Sequence, residues 1–273
     1  MTKLLSQLPR LTYLLALALA AILLTRGQTE TTMMLIVSSI VMFAVCWSSA
    51  IHLLGGRAAL HFVLIAVVTG WAAEQLGSSY GWFFGEYTYT DVLGPTVGDV
   101  PIVIPLMWFA LTYIAYVIAN LIVWQRPSDG VAPLGQDLAM SLLGAAIVTA
   151  YDLGADPYMV FVLKAWIMKK TDGWWFGETV QGFAGWMFVS FVILFLFRLT
   201  LRRHAPAPAL HVNRGHVMVP LFIYGANMVF QAALGYPVET RTVALFAMGI
   251  PLLSALCGYA RWQRPLTGPG ELR

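Results

Sequence analysis

The sequence predicts an all-α polytopic transmembrane helix bundle of about eight spans, forming a single integral membrane domain over residues 1–273. Three observations predict it. Of the 273 residues, 59% are hydrophobic and only 11% charged, about half the charge of a soluble domain, where roughly a quarter of residues are Asp, Glu, Lys or Arg. Apolar runs recur at about the 20-residue length a helix needs to cross the hydrocarbon core. Lys and Arg are shared unevenly between alternate connections, as spans of fixed orientation require.

The first run, near 11–25, follows Lys3 and Arg10 in the manner of a signal peptide. No small-x-small pattern closes it before Arg26, so it reads as a retained span. Runs near 33–54 and 58–76 supply the second and third, the third ending in TGWAAEQLG with Glu74. The fourth, near 101–124, carries an early tryptophan, Trp108, and the fifth, near 138–153, ends in TAYDLG with Asp152. The stretch 154–175 is the weakest boundary. Its PYMVFVLKAWIMKK mixes apolar residues with Lys164, Lys169 and Lys170, which predicts an interfacial helix near 157–172. Runs near 180–200, with Trp186, and near 216–235 and 238–260 complete eight, with seven as the alternative. Cys46 and Cys257 lie far apart inside apolar runs without CxxC or Cys/His spacing, and read as packing residues.

With eight spans and both termini cytoplasmic, eleven Lys and Arg fall inside and five outside, namely Arg26, Lys164, Lys169, Lys170 and Arg241. The carboxylates divide the other way. Asp129, Asp137 and Glu271 lie inside, and the other ten, including Glu30, Glu74, Asp152, Asp156 and Glu178, lie outside. Any chemistry is therefore expected toward one membrane face. The basic loop RLTLRRHAPAPALHVNR, 198–214, reads as an anchor beside anionic lipid, with nothing that demands nucleic acid.

Residues 81–86 read GWFFGE and residues 173–178 read GWWFGE. Each copy follows a span ending in an acid and precedes a span with an early tryptophan. Glycines let the backbone turn tightly, and Trp and Phe suit the interface, so an aromatic belt with loop glycines is one reading. A belt gives no reason for acids at matching positions, and carboxylates at membrane depth are costly, which singles out Glu74 and Asp152. Asp152 and Asp156 stand four apart and share a face if the helix continues. Alternatively, Asp156 before Pro157 caps the next helix. Glu86 and Glu178 could be ordinary loop charges. Paired acids of unequal proton affinity can divide the roles of donor and acceptor.

Several chemistries lack their motifs. The five histidines form no HxxxH or HxxHH box for a di-iron site, and no GxGxxG opens a helix after a strand for a flavin or nicotinamide. A prenyl-diphosphate enzyme wants two acid-rich magnesium motifs, and only the pair Asp152 and Asp156 offers a candidate.

Glu74 with GWFFGEYTY (81–89), Gly94, VPIVIPLMW (100–108), DLGADP (152–157), Trp166, FG (176–177) and GW (185–186) resembles the membrane-integral carotenoid hydratases, of the gamma-carotene and bisanhydrobacterioruberin hydratase type. The resemblance covers roughly residues 50–260. It departs from the family where GETVQGFAGW puts Gly182 in place of an asparagine, and where Lys169 stands near a position relatives give to an acid. It implies a carbon–oxygen lyase of bacterial or archaeal membranes that takes a long-chain carotenoid from the lipid. Such a hydratase adds water to the terminal double bond of an acyclic end group without metal or redox cofactor. Protonation at the less substituted carbon gives a tertiary cation, so the site needs a neutral acid, an aromatic lining and a held water. The expected catalytic acids are Asp152 as proton donor, Glu74 positioning or activating water, then Asp156 and Glu178. The expected lining is Trp71, Trp82, Phe84, Tyr87, Tyr89, Trp108, Trp175 and Trp186, with no metal ligands. A cyclase using the same protonation, or a carotenoid- or lipid-binding protein without catalysis, remains the alternative.

Overall fold

In the computed structural model the described residues are 2–26, 28, 32–128, 132–203 and 213–262, with side chains from residue 7 onward. Glu30, Asp129, Glu271 and most of the basic loop, 204–212, lie outside the described residues, as does the side chain of Lys3. Eight membrane-length apolar spans are present among the described residues. They are α1 (Thr2–Arg26), α2 (Thr32–Leu54), α3 (Gly56–Tyr80), α4 (Val103–Trp124), α5 (Leu134–Pro157), α6 (Val180–Arg203), α7 (Arg214–Leu234) and a last span made of α8 (Glu239–Ala247) and α9 (Gly249–Arg261). The protein is an integral membrane protein, and its architecture is the helix bundle the hydropathy predicts.

The bundle is organised around α4. Its sequence, VIPLMWFALTYIAYVIANLIVW, is apolar on every side, the mark of a helix that neighbours enclose. In its most apolar stretch 78% of residues are buried, against 33% in α3 and in α6, which keep lipid-facing sides. At the end of the bundle formed by the C-terminal turns of α4 and α6, Arg198 is buried, bonds Asn120 Oδ1 at 2.9 Å and lies over the rings of Tyr116 and Trp124. Nearby Arg202 pairs with Asp137 at 2.7 Å. The two arginines are thus neutralised or faced by aromatic rings, as membrane burial demands.

The opposite end is different. Here the C-terminal turns of α3 and α5 meet the N-terminal turns of α4 and α6, and the connections fold back over them. Strands β1 (Tyr87–Tyr89), β2 (Thr96–Val97) and β3 (Val100–Pro101) lie between α3 and α4. The β2–β3 hairpin is pinned to α3 by the Trp71 indole N–H, which bonds Val97 O at 3.0 Å, and by the Asp99 carboxylate, which accepts from Gln75 and Ser79.

The expected interfacial helix near 157–172 does not form. Helix α5 runs on past residue 153, continues as a π-helical turn over Tyr158–Val162 and stops where Lys164 takes a positive φ of 51°. Residues Trp166–Met168 then form β4, which pairs antiparallel with β1 in the register Tyr87↔Met168 and Tyr89↔Trp166. The period-two alternation explains the change. Trp166 and Met168 turn toward the bundle while Ile167 between them is 62% exposed, so the segment has a strand's inner face and not a helical stripe. Asp156, for its part, caps nothing. It sits inside α5, buried, with Pro157 closing the last turn.

Candidate active site

Pro157 has no N–H to give the carbonyl of Leu153, four residues earlier. That freed carbonyl is taken by the Trp175 indole at 3.1 Å, which fastens the second aromatic turn to the end of α5. Inside that turn the chain doubles back through the bridges Gly173↔Gly177 and Trp175↔Glu178. A Cβ on Gly173 would stand 1.8 Å from the Glu178 carbonyl oxygen, so only glycine permits the fold-back. The consequence is that Glu178 points inward and is 2% exposed.

Helix α3 brings the second acid. Gly70 lets Trp108 of α4 lie against it, since a Cβ there would meet the Trp108 ring at 2.6 Å. One turn further on, the Trp108 indole donates to Glu74 Oε1 at 3.0 Å. Tyr89 donates to Glu74 Oε2 at 2.8 Å, and Tyr87 donates to the same oxygen. Burial, with the neighbouring Glu74 charge, pushes both tyrosine hydroxyls above their ordinary range, so they stay protonated and remain donors. Glu74 is thus an acceptor on all three contacts, held by β1 and by α4.

Helix α5 brings two more. Asp152 and Asp156, four residues apart, face the same interior side, and both are buried. Asp156 is hydrogen-bonded to the Glu178 side chain. One oxygen of Asp152 and one of Glu178 are buried without a partner. Burial above all, then the charge of Asp156 and the hydrogen bond to it, then Asp152, hold the Glu178 carboxyl far above the usual range.

These acids surround two contiguous cavities. The first, about 60 Å³, is lined by Glu74, Asp156 and Glu178 with Phe84, Tyr87, Tyr89, Trp108, Met168, Gly182 and others. The second, about 130 Å³ and largely apolar, runs between α1, α2, α4, α5 and α7 and is bordered by Asp152 and Asp156. Asp156, Ile104, Met107, Trp166 and Trp186 line both. Trp108 and Trp186 stack at 4.4 Å between ring centroids, with Phe84 beside them.

Of the expected residues, the structure gathers Glu74, Asp152, Asp156, Glu178, Phe84, Tyr87, Tyr89, Trp108 and Trp186 around these cavities. Trp71, Trp82 and Trp175 line neither. Trp71 and Trp175 spend their indole N–H groups fastening loops, and Trp82 is 56% exposed. Residues outside the expected set also line the site, among them Trp166, Met168, Ile104, Met107 and Gly182. The inward alternation of Trp166 and Met168 was the signal for those two, whereas Ile104 and Met107 lie in the 100–108 stretch and Gly182 in the departure from the family pattern that the sequence already marked.

Residues 30–254 match the family described as carotenoid biosynthesis proteins. This chain belongs to that family. Within the carotenoid biosynthesis family, a curated relative is the bisanhydrobacterioruberin hydratase of Haloarcula japonica, 32% identical over 142 residues. The aligned stretch covers 52% of this chain and 45% of that protein, so this chain spans less than half the length of the curated relative it matches. No solved structure matches the chain.

Proposed function

We propose that this protein is a carotenoid-modifying enzyme, specifically a cofactor-independent hydratase of the carbon–oxygen lyase class that adds water to the terminal double bond of an acyclic carotenoid end group. The observation that carries the reading is the junction of the two cavities at Asp156. An apolar chamber fit for a polyene tip abuts a small acid-lined chamber fit for water, with stacked indoles where they meet.

Asp152, bordering the apolar chamber, gives its proton to the less substituted carbon of the terminal double bond. The tertiary cation forms beside Trp186 and Trp108, whose ring faces stabilise it by about 0.5 to 2 kcal/mol each. Water in the small chamber attacks the cationic carbon, and Glu74, fixed by three donors, accepts the proton that water releases. The Asp156–Glu178 pair lies between the two sides, takes up the proton that Glu74 has accepted and passes one on to Asp152, so the cycle closes without net change in the enzyme. With both termini cytoplasmic, the site faces the outer leaflet, and the carotenoid enters from the lipid.

Expression in cells that make lycopene or related acyclic pigments tests this. Extracted pigments gaining the mass of one water, with Asp152→Asn and Glu74→Gln abolishing the gain in protein that still accumulates, is the expected result. Ring-closed products of unchanged mass, or full conversion by both variants, would contradict it.

A further inference from the structure

Gly182 stands in the first turn of α6 and lines the small chamber beside Glu74, Asp156 and Glu178. Its backbone N–H is already satisfied by Thr179 O at 3.1 Å. Its φ is not in the left-handed region, and a Cβ built on it would meet only Phe84 O, at an ordinary 3.8 Å. Neither backbone conformation nor crowding therefore calls for glycine here, in contrast to Gly173. What the missing side chain leaves is space. A chamber of about 60 Å³ has room for water when polar partners are present. Partners are present, because Glu74, Asp156 and Glu178 all line it, and one Glu178 oxygen is buried without a hydrogen-bond partner.

Resting on the hydratase reading, we propose that Gly182 is the residue that decides the fate of the cation: the space it leaves seats the attacking water on Glu178, and without that water the same site is a double-bond isomerase. The chemistry balances with the groups present. A proton from Asp152 adds to the terminal alkene CH and leaves the tertiary cation. When the chamber holds water, the oxygen forms the new C–O bond and a water proton goes to carboxylate. When an apolar side chain at position 182 fills the chamber, the cation loses a proton from an adjacent methyl group to carboxylate. The new C=C forms at that methyl carbon, and the product is an isomer of the substrate, with no other reactant consumed.

The test compares the unaltered chain with Gly182→Ala and Gly182→Val in cells producing acyclic carotenoid, resolving products by chromatography and mass. The expected result is a ratio of unchanged-mass isomer to hydrate that rises with side-chain size, at least tenfold for Gly182→Val, while substrate is still consumed. In membranes suspended in D₂O the isomer carries one deuterium. The alanine variant, whose Cβ fits at ordinary contact distance, keeps the test open if the valine variant does not accumulate. An unchanged ratio in a variant that accumulates overturns the proposal, as does loss of both products in the alanine variant. If the unaltered chain makes no hydrate at all, the hydratase reading itself fails, and that outcome is distinct from a hydratase whose product ratio ignores residue 182.

Discussion

The two hexapeptides, GWFFGE at 81–86 and GWWFGE at 173–178, share five of six residues yet send their glutamates in opposite directions. Glu86 reaches outward to Lys169 at 2.7 Å, with 58% of its side chain exposed. Glu178 turns into the cavity, 2% exposed, against Asp156. In the first copy the aromatic at the fourth position, Phe84, fills the site, and in the second copy the glutamate does. The difference comes from what each turn is tied to. The first is held over α6 by the bond from Gln181 Nε2 to Gly81 O. The second is fastened to α5 by Trp175 and folded back on itself at Gly173. Local sequence sets the turn, and the neighbouring helix decides which side chain becomes chemistry.

The largest predicted effect separates the two glutamates by activity. Glu178→Gln is expected to lower turnover by roughly 10²-fold or more, the scale of a lost proton-transfer group. Glu86→Gln is expected to stay within about twofold of the unaltered protein, since an exposed ion pair contributes little. Pigment conversion per amount of membrane-inserted protein measures both, and equal losses would erase the distinction between the copies.

Next in size is a contrast in folding. Gly173→Ala forces a Cβ against backbone and is expected to cost on the order of 3 kcal/mol, or to abolish accumulation. Gly81→Ala is expected to cost about 1 to 2 kcal/mol, the price of a left-handed conformation, because its φ is 69° and its nearest clash is the flexible Glu86 side chain. Thermal unfolding in detergent orders the two.

A third contrast is in the sign of pH dependence. Lys169, by hydrogen bond and then by charge, holds the Glu86 carboxyl below its ordinary value of 4.5. Its contribution to stability is therefore complete above that value and is lost as pH falls through the lowered folded value. Glu178 is held above 4.5, mainly by burial. The unfolded chain ionises first, so its contribution is complete below 4.5 and declines as pH rises. Unfolding temperatures followed from acid to neutral pH should lose the decline in Glu178→Gln and lose the rise in Glu86→Gln. The same sign in both variants would contradict the assignment.

Much of this arrangement is legible in the sequence. Apolar runs of membrane length place the spans, and the depth of Glu74 and Asp152 in those runs marks them as costly groups that need partners. The four-residue step from Asp152 to Asp156 places both on one helical face, given only that the helix continues. Strand β4 is not legible, because its pairing depends on β1, about 80 residues away, and its lysines imitate an interfacial helix. The tryptophans divide for a related reason. An indole offers a ring face and an N–H, and sequence does not say which is used. Trp71 and Trp175 use the N–H to hold loops, whereas Trp108 uses both, stacking on Trp186 and donating to Glu74.

The most direct test of the central claim is the origin of the product's oxygen. Membranes holding the protein are supplied with an acyclic carotenoid in water enriched in oxygen-18, and the products are weighed by mass spectrometry. The account predicts one heavy oxygen in each converted end group, in a tertiary alcohol, and none when Asp152→Asn replaces the unaltered chain. A converted pigment without heavy oxygen, or a pigment bound and released unchanged, would contradict it.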